Sequence, residues 1–369
     1  MTWRVISTTA GALVCAASIL FLVSCAPTET EPGAAEVAHE LRMNGKLGEA
    51  KQVLEDALAQ DLDYAAGHYE LSRLKVHAAM ANSRQIEALM NEAQQSIDQA
   101  VEHDSSSAIY PFFGGYVGFM RAFIALNLGE PGAAEKVVHT CESFAAALRV
   151  EPNYREAKLH LVELYGLLPE EMGGDRSKAE AYMSELAAED EIFGMKARSV
   201  LEEVGVEDWK PLREKYPRST NILEELGKAY LWAGDAAEAG KCFAEAVEID
   251  SSKVVLYLDL GRYHTMRAMD RETKDEESQE LQQSHLAAAE AAVRRYLEID
   301  PPAPLKAYAL RMLEYVKRTT GEQDEAEKLK AEAKALDPHH TRASTRPSNA
   351  LFTPPGTLFR DHGYMMRPF

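Results

Sequence analysis

The stretch from Thr220 to Ser251 reads TNILEELGKAYLWAGDAAEAGKCFAEAVEIDS, and it decides the fold class. Its apolar residues recur at steps of three and four, which is the spacing of one face of an α-helix. Gly234 interrupts this pattern near the middle, and glycine at such a position commonly ends a helix. The stretch therefore predicts two short antiparallel helices joined by a tight turn.

Six positions of this stretch follow a further pattern of small and bulky side chains: Leu226, Gly227, Tyr230, Ala239, Phe243 and Ala246. At these positions the sequence resembles the tetratricopeptide repeat (TPR). The resemblance implies that Gly227 and Ala239 let the two helices approach closely. It also implies that Tyr230 and Phe243 fill the gaps between units. A second unit, with Leu260 and Gly261, begins at Val254, 34 residues after the first, which is the period of the family.

Degraded versions of the same unit recur from Ala34 to Pro338. Ala, Leu, Glu and Lys dominate, which favours helix. Prolines such as Pro152 and Pro301 fall where units end, because proline cannot continue a helix. We therefore predict an all-α, TPR-like solenoid of about six to eight antiparallel helix pairs over residues 36–338. An unrelated all-α bundle is the alternative.

The N-terminus carries the pattern of an export signal. Arg4 precedes an apolar run of 19 residues, and the motif LVSC, which ends at Cys25, follows the lipobox of bacterial lipoproteins. We predict a lipoprotein signal peptide at residues 1–24, lipidation at Cys25 and a lipidated tether at residues 25–35. A retained membrane anchor is the alternative, since the run is just long enough to span a bilayer.

These features predict a bacterial envelope protein, anchored by its lipid and facing the periplasm. Ala26 follows the cysteine, and in enterobacterial-type sorting a residue other than Asp there resembles export to the outer membrane. Two further cysteines, Cys141 and Cys242, remain in the mature chain. We predict small buried hydrophobes at these positions, with a disulfide as the alternative in an oxidising compartment.

The charge is unevenly distributed along the chain. The 369 residues include 59 acidic and 40 basic ones, for a net charge of −19. Loss of Arg4 with the signal peptide leaves −20, and residues 339–369 carry +3, so residues 25–338 carry −23. Phosphate contacts need a surplus of Lys and Arg, and the acidity therefore argues against a nucleic-acid partner.

A TPR groove binds peptides on the first helix of each pair, and the resemblance implies such a surface here. The candidate groove residues are Asn221, Glu224, Lys228, Leu231, Trp232 and Arg262. A clamp for a peptide carboxylate needs a cluster of Lys, Arg and Asn. Glu224 and Glu225 oppose that pattern, which argues against a carboxylate ligand.

One segment that departs from the repeat is rich in aromatic residues. Five of them lie within eleven positions: Tyr110, Phe112, Phe113, Tyr116 and Phe119. The segment predicts either a helix packed on both sides inside the array or an aromatic patch for a ligand or partner. Arg121 interrupts the apolar run, which argues against a membrane span.

Another departure is an enlarged turn that contains Gly173, Gly174 and Asp175. This turn resembles one found in TPR lipoproteins that serve as accessory subunits of TRAP-type solute transporters. The resemblance implies a tethered periplasmic protein that associates with a solute-binding protein. A third departure, the sixteen residues from Asp270 to His285, is predicted to be an exposed helical extension.

Residues 339–369 form a basic, aromatic and irregular tail. Its aromatic residues are Phe352, Phe359, Tyr364 and Phe369, and it carries four arginines against one aspartate. One hypothesis is an unstructured end. The other is a docking strap that lies on the array or on a partner, with aromatic anchors and arginines on acidic surface.

Catalytic signatures are missing from the sequence, which has no Gly-x-Ser-x-Gly elbow, P-loop or His-Glu-x-x-His motif. His339 and His340 lack further ligands for a metal. We therefore predict no catalytic residues, no metal and no cofactor.

The leading prediction is a membrane-tethered periplasmic scaffold that binds a protein partner of an envelope complex. The first alternative is a TRAP-transporter accessory subunit that docks a solute-binding protein or holds a small ligand. The second alternative is an enzyme with an unrecognised site.

Overall fold

The computed structural model describes residues 32–81, 85–128, 132–269 and 276–338. Within these ranges the chain forms sixteen α-helices and two short 3-10 segments, and it contains no β-strand. The predicted signal peptide, Cys25 and the tail at residues 339–369 lie outside the described residues.

The first eight helices are α1 (Ala34–Met43), α2 (Leu47–Gln60), α3 (Ala65–Ala81), α4 (Ile86–His103), α5 (Ile109–Leu128), α6 (Ala133–Val150), α7 (Arg155–Leu167) and α8 (Arg176–Glu189). The other eight are α9 (Glu191–Leu201), α10 (Val206–Lys215), α11 (Thr220–Trp232), α12 (Ala236–Ile249), α13 (Leu256–Met269), α14 (Glu276–Leu297), α15 (Ala303–Thr320) and α16 (Gln323–Leu336). The 3-10 segments are Glu170–Met172 and Ser251–Val255.

Consecutive helices pack in antiparallel pairs. Within the described ranges seven pairs are closely packed: α1–α2, α3–α4, α5–α6, α7–α8, α11–α12, α13–α14 and α15–α16. Between them the repeat is looser, since α9 packs on α7 and α8 while α10 packs on α11. Each pair also contacts its neighbours, as α6 contacts α7 and α14 contacts α15. The fold is therefore an all-α, TPR-like solenoid.

The best-matching repeat shows why the pattern of small and bulky residues is needed. A Cβ atom added to Gly227 would lie 2.3 Å from Cε1 of Phe243, so α11 and α12 touch at this glycine. Ala239, Phe243 and Ala246 are fully buried. Tyr230 is half-buried and packs against the same core. The close contact requires a residue without a side chain at position 227.

The two helices of a pair are buried to different extents. The second helix α12 buries one stripe, from Ala239 through Phe243 to Ala246, as an amphipathic surface helix does. The first helix α11 is buried continuously from Ile222 to Ala229. It contacts α10, α12 and α13, so it is enclosed on several sides. First helices therefore form an inner layer and second helices an outer one.

The two ends of the solenoid meet. Nε2 of His77, on α3, lies 2.7 Å from Oδ2 of Asp337, the residue after α16, and both side chains are buried. Gly45 follows α1 with a positive φ of 75°, and a Cβ there would lie 2.0 Å from the carbonyl oxygen of Leu336. These contacts bring the last helix against the first repeats. We call this contact the seam.

The aromatic segment lies on α5. The stretch Ile109–Leu126 is long and apolar enough to cross a membrane, but 67% of it is buried inside the protein. Arg121 Nε donates a hydrogen bond to Asn91 Oδ1 at 2.9 Å, which ties α5 to α4. Its burial is that of a core helix between α4 and α6.

The described part of the sixteen-residue insertion extends a helix. Residues 276–285 form the first turns of α14, and most of their side chains are exposed. Gln282 Nε2 donates to the carbonyl oxygen of Ala268 at 3.0 Å. The insertion therefore lengthens the second helix of its pair at the end that faces α13.

Candidate functional site

Buried charges within helices lie on the inner layer. Within the described ranges, each buried Asp, Glu, Lys, Arg or His side chain of a helix lies on the first helix of a pair: Arg42, Glu70, His77, Lys158, His160, Glu163, Glu224, Glu225, Lys228, Asp259, Arg262, Glu314 and Lys317. Second helices bury only neutral polar groups such as Gln94 and Thr140. Burying a charge is costly unless it is paired, so the inner layer depends on ion pairs.

Two predicted groove residues, Glu224 and Lys228, belong to one such network on α11. Lys228 contacts the carboxylates of both Glu224 and Glu225, the latter with an Nζ–Oε1 distance of 3.4 Å. Lys196, on α9, reaches Glu225 at 3.2 Å. The network therefore links α9 to α11.

A third predicted groove residue joins the network at its exposed end. Lys253, in the 3-10 segment before α13, lies 2.9 Å from Oε2 of Glu224 and 3.2 Å from Oδ1 of Asn221. The lysines are thus held by carboxylates of the protein itself. This arrangement opposes the clamping of a peptide carboxylate.

The other three groove candidates lie elsewhere. Leu231 is buried in the core between α11 and α12. The guanidinium carbon of Arg262, on α13, lies 5.9 Å from the centre of the Tyr308 ring, a cation–π distance. Trp232 is 65% exposed at the end of α11. The structure therefore brings Asn221, Glu224 and Lys228 into one network, and the contacts of the other three lie outside it.

Buried charges elsewhere in the inner layer are also paired with charged side chains of the protein. Arg42 on α1 donates from Nε to Oε1 of Glu70 on α3 at 2.6 Å. Burial opposes ionisation of Glu70, but hydrogen bonds and charges from His39 and Arg42 hold its pKa below the ordinary value. Lys158 lies 3.1 Å from a Glu185 oxygen. Although burial works against it, hydrogen bonds to Glu189 and Glu185 raise the pKa of Lys158.

The aromatic segment is part of the core rather than an exposed patch. Phe112, Phe113, Tyr116 and Phe119 are all buried, and Tyr110 is partly buried against the same cluster. Two glycines of α5 allow the close packing. A Cβ at Gly115 would lie 2.8 Å from the Phe144 ring, and one at Gly118 would lie 2.8 Å from Thr140 Oγ1.

The enlarged turn between α7 and α8 needs both of its glycines. Gly173 adopts a positive φ of 90°, which non-glycine residues rarely adopt. A Cβ at Gly174 would lie 1.9 Å from the carbonyl oxygen of Leu168. Asp175 then caps α8, since its side chain accepts a hydrogen bond from the backbone N–H of Lys178 at 3.1 Å.

Large exposed apolar side chains lie where first helices end. Leu126, Leu167, Trp232 and Met269 stand at the C-terminal ends of α5, α7, α11 and α13, with 39–65% of their surface exposed. Stacked repeats place these ends, and the turns that follow them, along one side of the array. We call this side the turn edge. The turn with Gly173 and Gly174 belongs to it.

The opposite edge, formed by the ends of the second helices, also exposes apolar residues. They are Leu62, Val150 and Ile299, at or just beyond the ends of α2, α6 and α14. The turn with Gly173 and Gly174 joins a first helix to a second one, and residues 276–285 begin the second helix α14, so both lie on the turn edge. The turn edge therefore combines exposed apolar side chains with the irregular turns.

The turn edge also contains an apolar pocket. A cavity of about 40 Å³ lies between α5, α6 and α7, and its lining includes Phe119, Ala122, Phe123, Leu126, Leu164 and Leu167. Glu163 is the charged residue of the lining, and its Oε2 lies 2.9 Å from Nδ1 of His160. Phe119 stands out in the sequence because it belongs to the aromatic segment. Leu126 and Leu167 do not, because they lie at the ends of two different helices and meet only in the folded protein.

The described cysteines are unbonded. Cys141 and Cys242 are both buried, and no disulfide joins them. Burial raises the pKa of each thiol to about 11, so both are protonated near neutral pH. In the described ranges no group of three His, Cys, Asp or Glu side chains is placed to hold a metal ion. His339 and His340 lie outside those ranges.

A histidine pair joins α13 and α14. Nδ1 of His264 lies 2.9 Å from Nδ1 of His285. Burial, together with the nearby His285, lowers the pKa of His264 to about 4. His264 is therefore neutral near pH 7.

Comparisons with known proteins add little to this architecture. A scan against protein-family models and a search of curated proteins give no match. A monomeric mutant of IFIT1 solved with m7Gppp-AAAA is 16% identical at a TM-score of 0.34, over 82% of this chain and 54% of that chain. A human IFIT1 dimer solved with PPP-AAAA is 14% identical at a TM-score of 0.33, over 86% of this chain and 92% of that chain.

This chain spans about half the length of the first IFIT1 chain that it matches. Likeness at these TM-scores supports no argument about function. The fold assignment rests on the helix pairs and their contacts described above.

Proposed function

We propose that this protein is a membrane-tethered periplasmic scaffold that binds a protein partner of an envelope complex through its turn edge. The observation that carries the proposal is the set of exposed apolar side chains on that edge, Leu126, Leu167, Trp232 and Met269. Exposed apolar patches commonly mark protein interaction sites. Tryptophan contributes more often than most residues to the energy of interfaces, which makes Trp232 the leading contact.

The inner layer is less suited to this task. Its charged side chains are engaged in ion pairs, as Lys228 is with Glu224 and Glu225. A partner that displaced these pairs would have to compensate the charges it uncoupled. The turn edge requires no such exchange, because its apolar side chains only lose contact with water on binding.

A matched pair of variants tests the turn edge. Trp232→Asp places a charge on that edge, and Ile299→Asp places one on the opposite edge at a side chain that is 51% exposed. Both chains are affinity-purified from detergent-solubilised membranes beside the wild type. We expect the wild-type partner to be recovered with Ile299→Asp and lost with Trp232→Asp. Equal recovery with both variants would contradict the proposal.

The membrane tether has a separate test. The motif LVSC predicts acylation of Cys25, and more than one acyl chain gives stable anchoring. We expect Cys25→Ser to abolish acylation in intact-mass measurements and to block maturation by the signal peptidase. An unacylated wild-type chain that remains in the membrane fraction would instead favour a retained transmembrane anchor.

A TRAP-transporter accessory subunit is the second candidate, and a single feature favours it. The turn with Gly173 and Gly174 lies on the turn edge beside the apolar pocket, since a Cβ at Gly173 would lie 3.7 Å from Val137 and Val138. This candidate predicts that the partner lost with Trp232→Asp is a solute-binding protein. If the lost partner is another kind of protein, the accessory role is excluded and the scaffold proposal stands.

Both candidates act by binding. Neither candidate requires a catalytic step or a cofactor.

A further inference from the structure

The apolar pocket has room for part of one side chain. A single water-sized group needs about 10–15 Å³, so a cavity of about 40 Å³ holds a few heavy atoms. Drug-sized ligands occupy pockets of several hundred Å³. Exposed Leu126 and Leu167 form part of its lining. An aromatic or aliphatic side chain that enters beside them would cover both.

The chain itself supplies a fitting occupant. Thirty-one residues follow Pro338, and they include the sequence Leu358-Phe359-Arg360. This sequence places an aromatic ring next to a cation. The pocket offers the complementary pair, since Leu168 lines it and the exposed carboxylates of Glu170 and Glu171 follow two and three residues later.

The charges of the two parts are opposite. Residues 339–369 carry +3, whereas residues 25–338 carry −23. Complementary charge favours association and fixes its orientation. In a docked tail the apolar ring would supply affinity, and the neighbouring arginine would meet Glu170 and Glu171.

The tail also begins within reach of the pocket. The seam holds Asp337 against His77 on α3, so the tail leaves the array beside that helix. The path from α3 to α7 crosses two helix spacings of about 10 Å each and at most one helix length of about 30 Å. The 21 residues from Pro338 to Phe359 span up to about 70 Å when extended.

We propose that the C-terminal tail folds back onto its own array and places the edge of the Phe359 ring in the pocket between α5, α6 and α7, with the rest of the ring against Leu126 and Leu167. Arg360 then lies over Glu170 and Glu171. The tail is a strap that covers one part of the turn edge. Trp232 and Met269 lie on other repeats and remain available to a partner.

Limited proteolysis with chymotrypsin tests this arrangement. The protease cleaves after Phe359 only when it can bind the ring, and the ring is protected while it lies in the pocket. The full chain is digested under native conditions, and cleavage after Phe359 is followed by mass spectrometry. Burial of a phenyl ring corresponds to a shift of at least about tenfold in a docking equilibrium. We expect Leu167→Arg to accelerate this cleavage about tenfold, since it places a cation at the pocket beside Arg360.

Val150→Arg is the matched control, because Val150 is exposed to a similar degree on the opposite edge. It should leave the cleavage rate unchanged. Equal rates in wild type, Leu167→Arg and Val150→Arg would overturn the proposal. Protection that grows with protein concentration would also overturn it, because the pocket would then hold the tail of a second copy.

A variant in the tail keeps the test independent of pocket folding. Phe359→Ala should accelerate cleavage after Phe352 and Tyr364 about tenfold, since the strap loses its anchor. Phe369→Ala, at the last residue, should have no such effect. Unchanged cleavage in Phe359→Ala would place the anchor elsewhere and contradict the proposal.

Discussion

Helices α11 and α12 belong to one repeat and bury different kinds of side chain. The outer helix α12 buries the small and apolar stripe of Ala239, Phe243 and Ala246, and its ion pair between Lys241 and Glu238 is exposed. The inner helix α11 buries its charged groups instead, with Glu225 fully covered. The same contrast holds across the described repeats, where buried charges lie on first helices.

The difference shows what each layer contributes. Outer helices are held by apolar packing against their partner. The free energy of this packing grows with the buried apolar area, and substitutions on the exposed face leave that area unchanged. Inner helices contain charges whose burial is tolerated only because each has a partner. Removing one member of such a pair should therefore cost more than removing an exposed pair of the same chemistry.

The sharpest test of this contrast compares two lysines. Lys228→Met leaves Glu224 and Glu225 buried without that cation, and we expect the free energy of unfolding to fall by about 3–5 kcal/mol. Lys241→Met removes an exposed lysine of α12, and we expect no measurable change. Urea unfolding followed by circular dichroism checks both. Similar losses in the two variants would break the distinction between the layers.

Two glycines test close packing in the same repeat. Gly227→Ala places a methyl group against the Phe243 ring, at a Cβ–Cε1 distance of 2.3 Å, and should destabilise the protein by about 2–3 kcal/mol. Gly240→Ala on α12 meets only Leu260 at 3.6 Å. It should be neutral or stabilise by up to about 1 kcal/mol, through helix propensity. Thermal melts of both variants check this prediction. A Gly227→Ala protein as stable as the wild type would show that α11 and α12 are farther apart than described.

The seam gives a smaller and more local effect. Asp337→Asn weakens the buried contact with His77, and we expect a loss of about 1–2 kcal/mol. Amide hydrogen exchange should increase in α16 and α3 while the central repeats keep their protection. Glu327→Gln, an exposed change on α16, is the control. Unchanged exchange at both ends in Asp337→Asn would mean that the ends are held together by other contacts.

The histidine pair gives the smallest effect and depends on pH. The pKa of His264 is about 4 in the folded protein against an ordinary value of 6.5, so the unfolded chain binds the proton first. The contribution of neutral His264 to stability is fully present above pH 6.5, and it is lost as the pH drops towards 4. Since the ring is partly exposed, we expect about 1 kcal/mol between pH 7 and pH 4.5.

The variant His264→Asn should lose this part of the acid sensitivity. Unfolding free energies measured across the same pH range check it. His139→Asn, on the outer helix α6, should keep the wild-type profile. Identical profiles for wild type and His264→Asn would contradict the assignment to His264.

The sequence predicts the repeats well because their signal is local. Gly227 and Phe243 lie within one helical pair, and their spacing marks the contact directly. The seam has no such signal, because His77 and Asp337 are 260 residues apart and neither belongs to a motif. The buried charges are hidden for a related reason, since the charge pattern of α11 also suits a solvated helix face.

The candidate site is only partly predictable for the same reason. Trp232 and the turn with Gly173 and Gly174 stand out in the sequence by composition. Leu126 and Leu167 are ordinary residues whose role depends on two helix ends meeting around one pocket. The aromatic residues of α5 are conspicuous, yet packing on both sides makes them core.

The proposed function depends most on the turn edge as the surface that meets a partner. The direct measurement places a photoreactive phenylalanine analogue at position 232 or at position 299 of the full chain and irradiates intact cells. We predict one discrete cross-linked protein at position 232 that is absent at position 299. Cross-links at position 299 alone, or at neither position, would contradict the account.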